Sequence, residues 1–218
     1  MIFLKHFPFT LHWIVRKSIG SNIKTVLDLG CGDGDFTKDI SDESWKITGV
    51  ELYNDSINRA KKQGVYEEVI KGDITNLPDV ISRKKFDAVI SIQVLEHLKK
   101  EIGEITLNKW ERLANKKIIV STPVGFINYD RVEIAMKEEN KLQKHLSGWQ
   151  PEEFETRSYR VYGQGLRLIY GENGLVRKIH PFFWPLLILV GYFFAPLVFF
   201  FPSIGAYMVA VKDVRKNK

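Results

Sequence analysis

The stretch Thr25–Thr37, TVLDLGCGDGDFT, reads as a strand, a tight turn and the start of a helix. Val26, Leu27 and Leu29 form the short apolar run of a strand buried on both faces. Gly30, Gly32 and Gly34 then fall on alternate positions. Glycine there permits positive φ and lets backbone approach a ligand closely. Phe36, Thr37 and Ile40 open a helix. Such a junction is expected to gather free backbone N–H groups at one point.

The spacing decides what those groups can meet. The dinucleotide-binding pattern G-x-G-x-x-G would need its third glycine at position 35, which is Asp35. Asp28 precedes the glycines and Asp33 lies among them. Two acids repel a pyrophosphate but suit an ammonium or a sulfonium. An ordinary strand-to-helix turn is the alternative, and Asp28 tilts the reading toward a cationic nucleoside.

Three further motifs follow in order: GVEL at 49–52, GDITNLP at 72–78 and FDAVISIQVLEHL at 86–98. With DLGCGDG they resemble the class I S-adenosylmethionine-dependent methyltransferases, over roughly Lys24 to Pro123. The resemblance implies S-adenosyl-L-methionine as cofactor and a Rossmann-like fold. It places Gly30, Cys31, Gly32 and Gly34 against the cofactor. Asp28 is expected to bind the cofactor ammonium, directly or through water, or else to cap the neighbouring helix. Glu51 ends a strand, where a carboxylate can accept from two ribose hydroxyls, and Leu52 can flank the adenine. Asp73 and the Ile74 N–H are implied partners of the adenine edge, with an Asx-turn at Asp73 as the competing account. Gln93 lies beyond the fourth strand, where the methyl group should point. His97 is the candidate general base, unless Glu96-His97 only holds the loop in shape. Cys31 reads as a small spacer rather than a nucleophile.

The 218 residues suit one compact domain with modest additions. The formal charge of +6 allows nucleic acid or an anionic membrane as partner, but most lysines sit at ends and turns of elements. One cysteine excludes an intrachain disulfide and suits a reducing, cytoplasmic setting. The five histidines and Cys31 show no metal-ligand spacing, so no metal is expected.

Residues 1–20 read as an N-terminal amphipathic helix, with Leu11, Ile14, Val15 and Ile19 on one face. The methyltransferase domain is expected over 21–218. Strands are expected at Thr25–Leu29, Lys46–Glu51, Glu67–Lys71, Phe86–Ile92 and Lys117–Ser121, then a bent strand in Tyr159–Tyr170 and a last one at Ala206–Val214. The second helix is expected to open on Asn54 or Asp55 as N-cap. Asn128–Gln143 reads as polar helix, and HLSGW at 145–149 as a loop. His145, Trp149, Tyr159 and Tyr162 fall in the region that builds the acceptor pocket in the family. The strand and helix rhythm predicts an α/β fold: a doubly wound, mostly parallel seven-stranded sheet.

One stretch departs from that rhythm. Pro181–Pro202, PFFWPLLILVGYFFAPLVFFFP, carries no charge and approaches the length of a bilayer span. Pro185, Gly191 and Pro196 are expected to break it. The last strand must also return to the sheet, so a hydrophobic helical hairpin inserted before that strand fits better than a span. Lys178, His180 and Lys212 are then placed to meet anionic head groups, on the inner face of a membrane. A lipophilic acceptor tunnel, a dimer interface and an internal core hairpin are the alternatives. The leading functional reading is methyl transfer to a small-molecule or lipid-linked acceptor, with no nucleic acid partner. An RNA methyltransferase and a non-catalytic nucleoside-binding module stand behind it.

Overall fold

Side chains alternate between the two faces of a sheet, so strands buried on both faces divide their apolar residues between two layers. In the computed structural model, which describes residues 7–128 and 144–217, the strands are β1 (Thr25–Leu29), β2 (Lys46–Glu51), β3 (Glu68–Lys71), β4 (Phe86–Ile92), β5 (Ala114–Pro123), β6 (Arg160–Leu166) and β7 (Gly205–Asp213). They form one seven-stranded sheet in the order β3-β2-β1-β4-β5-β7-β6. β1 to β5 pair in parallel, and β7 runs antiparallel to both β5 and β6. Leu27, Leu29 and Val89 point into one apolar layer with Trp110, Trp149 and Phe154. Val26, Ile90 and Ile119 point into the other.

Helix α1 (Leu11–Ile19) covers that second layer with Ile14, Val15 and Ile19, as its periodicity predicts. Thr10 caps it, its hydroxyl oxygen accepting from the Trp13 N–H at 3.4 Å. α2 (Asp35–Ile40) follows β1, and α3 (Asn54–Lys62) follows β2. The N-cap of α3 is Tyr53, not Asn54 or Asp55. Glu51 fixes the entry to the helix, its carboxylate taking the Leu52 and Tyr53 N–H groups, and the N-cap itself makes no side-chain cap bond. α4 (Asp79–Ser82) leads into β4, and α5 (Lys100–Leu113) into β5. α6 (Pro151–Glu155) opens with proline in its first turn and a Gln150–Glu153 capping box.

The sequence segment Tyr159–Tyr170 divides. β6 stops at Leu166, and Arg167–Tyr170 coil as α7. Gly165, at φ +67°, bends the chain there, with the Tyr170 ring folded back on it. The helix read into Asn128–Gln143 lies, from 129 on, outside the described residues.

The charge-free stretch forms a short 3-10 turn (Pro181–Phe183), then α8 (Trp184–Phe193) and α9 (Ala195–Phe200). Pro185 and Gly191 do not break it. Pro185 falls in the first turn of α8, where its missing N–H costs nothing, and Gly191 lets α8 close on Tyr170. The interruption comes at Phe194, just before Pro196. Among the described residues, no helix is long and apolar enough to cross a membrane. Leu187 and Val198 anchor the two helices inward. Phe182, Leu189, Phe193 and Phe200 are each 67–78% exposed. β6 ends, and β7 begins, at the same edge of the sheet as the carboxyl ends of β1, β2 and β4. The apolar helices therefore leave the sheet from that edge.

α9 lies directly on β6. A Cβ at Gly163 would stand 2.2 Å from the Val198 carbonyl oxygen. Gly163→Ala should cost about 1–3 kcal/mol by overpacking. Gly64, at φ +73° with nothing within 4 Å of its Cβ position, supplies the comparison. Gly64→Ala should cost about 1 kcal/mol, through backbone strain alone. Thermal unfolding of the two variants checks the order; a Gly163→Ala protein as stable as wild type would mean that α9 is not held there.

Candidate functional site

A cavity of about 510 Å³ opens at the carboxyl ends of β1, β2, β3 and β4. Its floor is the glycine turn. Gly30, Gly32 and Gly34 have φ of +73°, +54° and +80°, as the alternate spacing predicts. The turn's N–H groups are not free, however. Gly30 and Cys31 donate to the Val50 carbonyl, Gly34 to that of Cys31, and Gly32 to Glu51 Oε2 at 3.0 Å. Backbone at this depth must find a partner within the protein before any ligand arrives.

Glu51 is buried. Its Oε1 accepts from the Leu52 and Tyr53 N–H groups at 2.7 and 3.0 Å, and its Oε2 from Gly32. A carboxylate has about four acceptor positions. Three are filled, so a hydroxyl group entering the cavity meets the one left on Oε2. Leu52 and Ile74 stand on the cavity wall as apolar surfaces. Asp73 makes the Asx-turn: its Oδ1 accepts from the Thr75 N–H and hydroxyl, both at 2.8 Å, which leaves Oδ2 outside the turn. Trp110 and Lys109 hold that loop from below through the carbonyls of Ile74 and Thr75.

Gln93 has φ +57°, a conformation that a non-glycine residue holds only when its surroundings fix it. Here its N–H donates to the Ser121 carbonyl and its side-chain amide to the Ser121 hydroxyl, both at 2.9 Å. The strained turn carries Val94, His97 and Leu98 onto the cavity wall.

The site's acids, glycines and strand ends thus share one chamber, and residues 26–117 match a methyltransferase domain family. The chain carries a class I S-adenosylmethionine-dependent methyltransferase domain. S-adenosyl-L-methionine is the methyl donor that goes with it. A ubiquinone biosynthesis O-methyltransferase of Actinobacillus pleuropneumoniae is 26% identical over 98 residues, covering 42% of this chain and 42% of the relative. An uncharacterized methyltransferase of Schizosaccharomyces pombe is 30% identical over 88 residues, 40% of this chain and 34% of the other. The chain thus spans about two fifths of the length of the curated relatives it matches. The structure of an O-methyltransferase family protein from Burkholderia thailandensis superposes with a TM-score of 0.58. It covers 98% of this chain and 57% of that one at 13% identity, a likeness of fold.

Within the methyltransferase domain, Asp28 lies beneath the chamber rather than on its wall. Its Oδ2 accepts from the Thr37 and Tyr66 hydroxyls at 2.5 and 2.8 Å. Burial pushes its pKa up to about 6, against the two hydrogen bonds that pull it down, and nearby Glu51 adds to the rise. Cys31 is a spacer: burial pushes its thiol well above the ordinary range, and its sulfur fills the space that Gly49 leaves open.

The HLSGW loop has a role that its sequence does not announce. The Leu146 and Ser147 N–H groups both donate to the Glu96 carbonyl, at 2.8 and 3.1 Å. Trp149 is core: Lys100 sits 3.6 Å over its ring, and Gly103 makes room beneath it. Tyr159 is buried and donates to Glu111, and Tyr162 stacks on Phe199. Neither these two nor Trp149 lines the chamber. His145 alone of the four reaches the site, its ring 5.0 Å from that of His97. Burial, and then His97, hold the His145 imidazole below its ordinary range. Glu96 is 1% exposed, and burial pushes its carboxyl up to about 8. One possible ligand atom from each of Glu96, His97 and His145 lies within 4.8 Å of the others. Ligand spacing along the chain missed this group because 47 residues separate His97 from His145.

Asp28 sets a testable pH dependence. Its folded pKa of about 6 lies above the model-peptide 3.8. Between those values the folded chain holds a proton that the unfolded chain has released, so this group's contribution to stability falls as pH rises from about 4 to 6. The full shift corresponds to on the order of 3 kcal/mol. Asp28→Asn keeps an acceptor for Thr37 and Tyr66 and removes the charge. Its melting temperature should match wild type near pH 4 and exceed it at pH 7. A difference that does not change with pH would show that Asp28 titrates as in water.

Proposed function

We propose that this chain transfers the methyl group of S-adenosylmethionine to a small-molecule or lipid-linked acceptor at a membrane surface. The observation that carries the reading is a shared edge: the chamber opens, and the exposed apolar helices emerge, at the same end of the sheet. In this reading Glu51 takes a ribose hydroxyl on its open Oε2 position. Leu52 and Ile74 flank the adenine, and Asp73 Oδ2 accepts from its exocyclic amine. The glycine turn lets the methionine moiety lie close to backbone. Asp28 favours its ammonium from below, and Gln93 and His97 face the acceptor.

The reaction is an in-line displacement at the methyl carbon. The sulfonium leaves readily, so the protein's contribution is orientation and exclusion of water. The relatives' name, ubiquinone biosynthesis O-methyltransferase, fits an oxygen acceptor.

The exposed apolar face is far larger than the scattered apolar residues of an ordinary surface. Lying in a bilayer interface would cover it. Arg177 and Lys178, both exposed, stand just before Pro181 and suit anionic head groups. Lys212 does not join them: it is paired with Glu111 at 2.7 Å and largely buried. His180 uses its ring nitrogen to accept from the Phe182 N–H.

Calorimetry with S-adenosylhomocysteine tests the cofactor half. Wild type should bind one equivalent, and Glu51→Ala should bind about 10- to 100-fold more weakly, as expected for loss of a hydrogen-bonded charge. Indifference of wild type to the nucleoside at millimolar concentration would end the reading. Flotation with anionic liposomes tests the membrane half. Wild type should float, and a variant with Phe182, Leu189, Phe193 and Phe200 all changed to Ser should not. Equal recovery of both with the lipid, or of neither, would remove the membrane from the account.

A further inference from the structure

Among the described residues, Glu96 is a buried acid with both carboxyl oxygens unsatisfied. Thr122 is also buried, and its hydroxyl makes no hydrogen bond of good geometry among the described residues. A bare acid in a low-dielectric interior costs several kcal/mol unless something compensates it. Among the described residues, no lysine or arginine acts on Glu96. The surroundings supply two imidazoles, His97 and His145.

We propose that Glu96, His97 and His145 form a divalent-cation site on the acceptor side of the chamber. The arrangement is built rather than incidental. Gln93 is held in its left-handed turn by Ser121, which fixes where Glu96 and His97 leave β4. The loop carrying His145 is tied to that turn through the two N–H bonds to the Glu96 carbonyl. It is tied again through Lys100, which donates to the Gly148 carbonyl at 2.9 Å. His97 Nδ1 lies 3.3 Å from the Lys144 carbonyl oxygen, the kind of contact that orients an imidazole ligand.

Ligand atoms on bonds of about 2.1 Å stand about 3–3.5 Å apart around a metal ion. The 4.8 Å limit on the present group therefore asks for small side-chain rotations only. Two nitrogens and one carboxylate oxygen suit Mn²⁺, Fe²⁺, Co²⁺ or Zn²⁺ better than Ca²⁺ or Mg²⁺, which prefer all-oxygen sets. Three protein ligands leave coordination positions open. His97 lies on the chamber wall, so an ion there can take an acceptor oxygen.

What the ion does rests on the methyltransferase reading. An acceptor hydroxyl bound to it loses its proton to water more readily. The oxygen then attacks the methyl carbon: the C–O bond forms as the C–S bond breaks, and the electron pair stays on sulfur as the neutral thioether. His97 serves as ligand in this scheme, and the ion takes over the activation otherwise given to His97 as base.

The test uses the full chain, stripped with chelator and titrated with Mn²⁺, followed by loss of the free-ion electron paramagnetic resonance signal. Co²⁺ titration followed by visible absorption gives a second readout. Wild type should take up one ion per chain, and Glu96→Gln and His145→Ala should bind at least about tenfold more weakly while melting cooperatively. A wild-type chain that binds no Mn²⁺, Co²⁺ or Zn²⁺ stoichiometrically overturns the site. So does a folded Glu96→Gln protein that binds like wild type. S-adenosylhomocysteine binding by the same wild-type sample separates the two ideas: nucleoside without metal removes the site alone, and metal without nucleoside removes the methyltransferase reading alone.

Discussion

The chamber depends on the pair Val50–Glu51. The Val50 carbonyl receives the Gly30 and Cys31 N–H groups, and the Glu51 carbonyl receives that of Gly72. The Glu51 carboxylate adds Gly32, Leu52 and Tyr53. One dipeptide at the end of β2 thereby fixes the turns that follow β1 and β3, and the entry to α3. An apolar residue at 51 would leave three N–H groups in search of partners at the edge of the chamber. The same carboxylate keeps one acceptor position open toward the chamber.

That economy has a cost. Asp28 and Glu51 are buried acids a short distance from one another, and Glu51 helps to raise the pKa of Asp28. Glu96 adds a third buried acid, in the turn that follows β4. The apolar layers on the two faces of the sheet supply the stability that tolerates them. Buried, imperfectly satisfied charge gathered at one end of a well-packed sheet is what a site prepared for a cationic ligand looks like. The exposed α8 and α9 repeat the pattern in apolar terms, since water alone leaves their surface uncompensated.

Much of this was legible in the chain. The glycine turn, the buried strands and α1 follow from local rules: φ freedom, continuous short apolar runs and a 3.6-residue apolar stripe. The misreadings were also local. Pro185 and Gly191 look like breakers in a list of residues, but the first turn of a helix tolerates proline, and Gly191 answers to Tyr170. Asn54 looks like a cap until Glu51 is seen to hold the two residues before it, so that the helix opens from Tyr53. Lys212 looks free until Glu111 arrives from α5.

By itself, the sequence determined the alternation of strands and helices, which rests on neighbours a few residues apart, and its four ordered motifs carried the resemblance that implies the cofactor class. Only the tertiary structure decided that the N–H groups of Gly30, Cys31, Gly32 and Gly34 are already spent, that Asp28 lies beneath the chamber, and that Glu96, His97 and His145 meet. Those outcomes depend on contacts between segments far apart in the chain, and neither the length of the intervening chain nor its composition fixes where two loops touch. Packing does: Trp149 seated over Gly103 brings His145 to the end of β4.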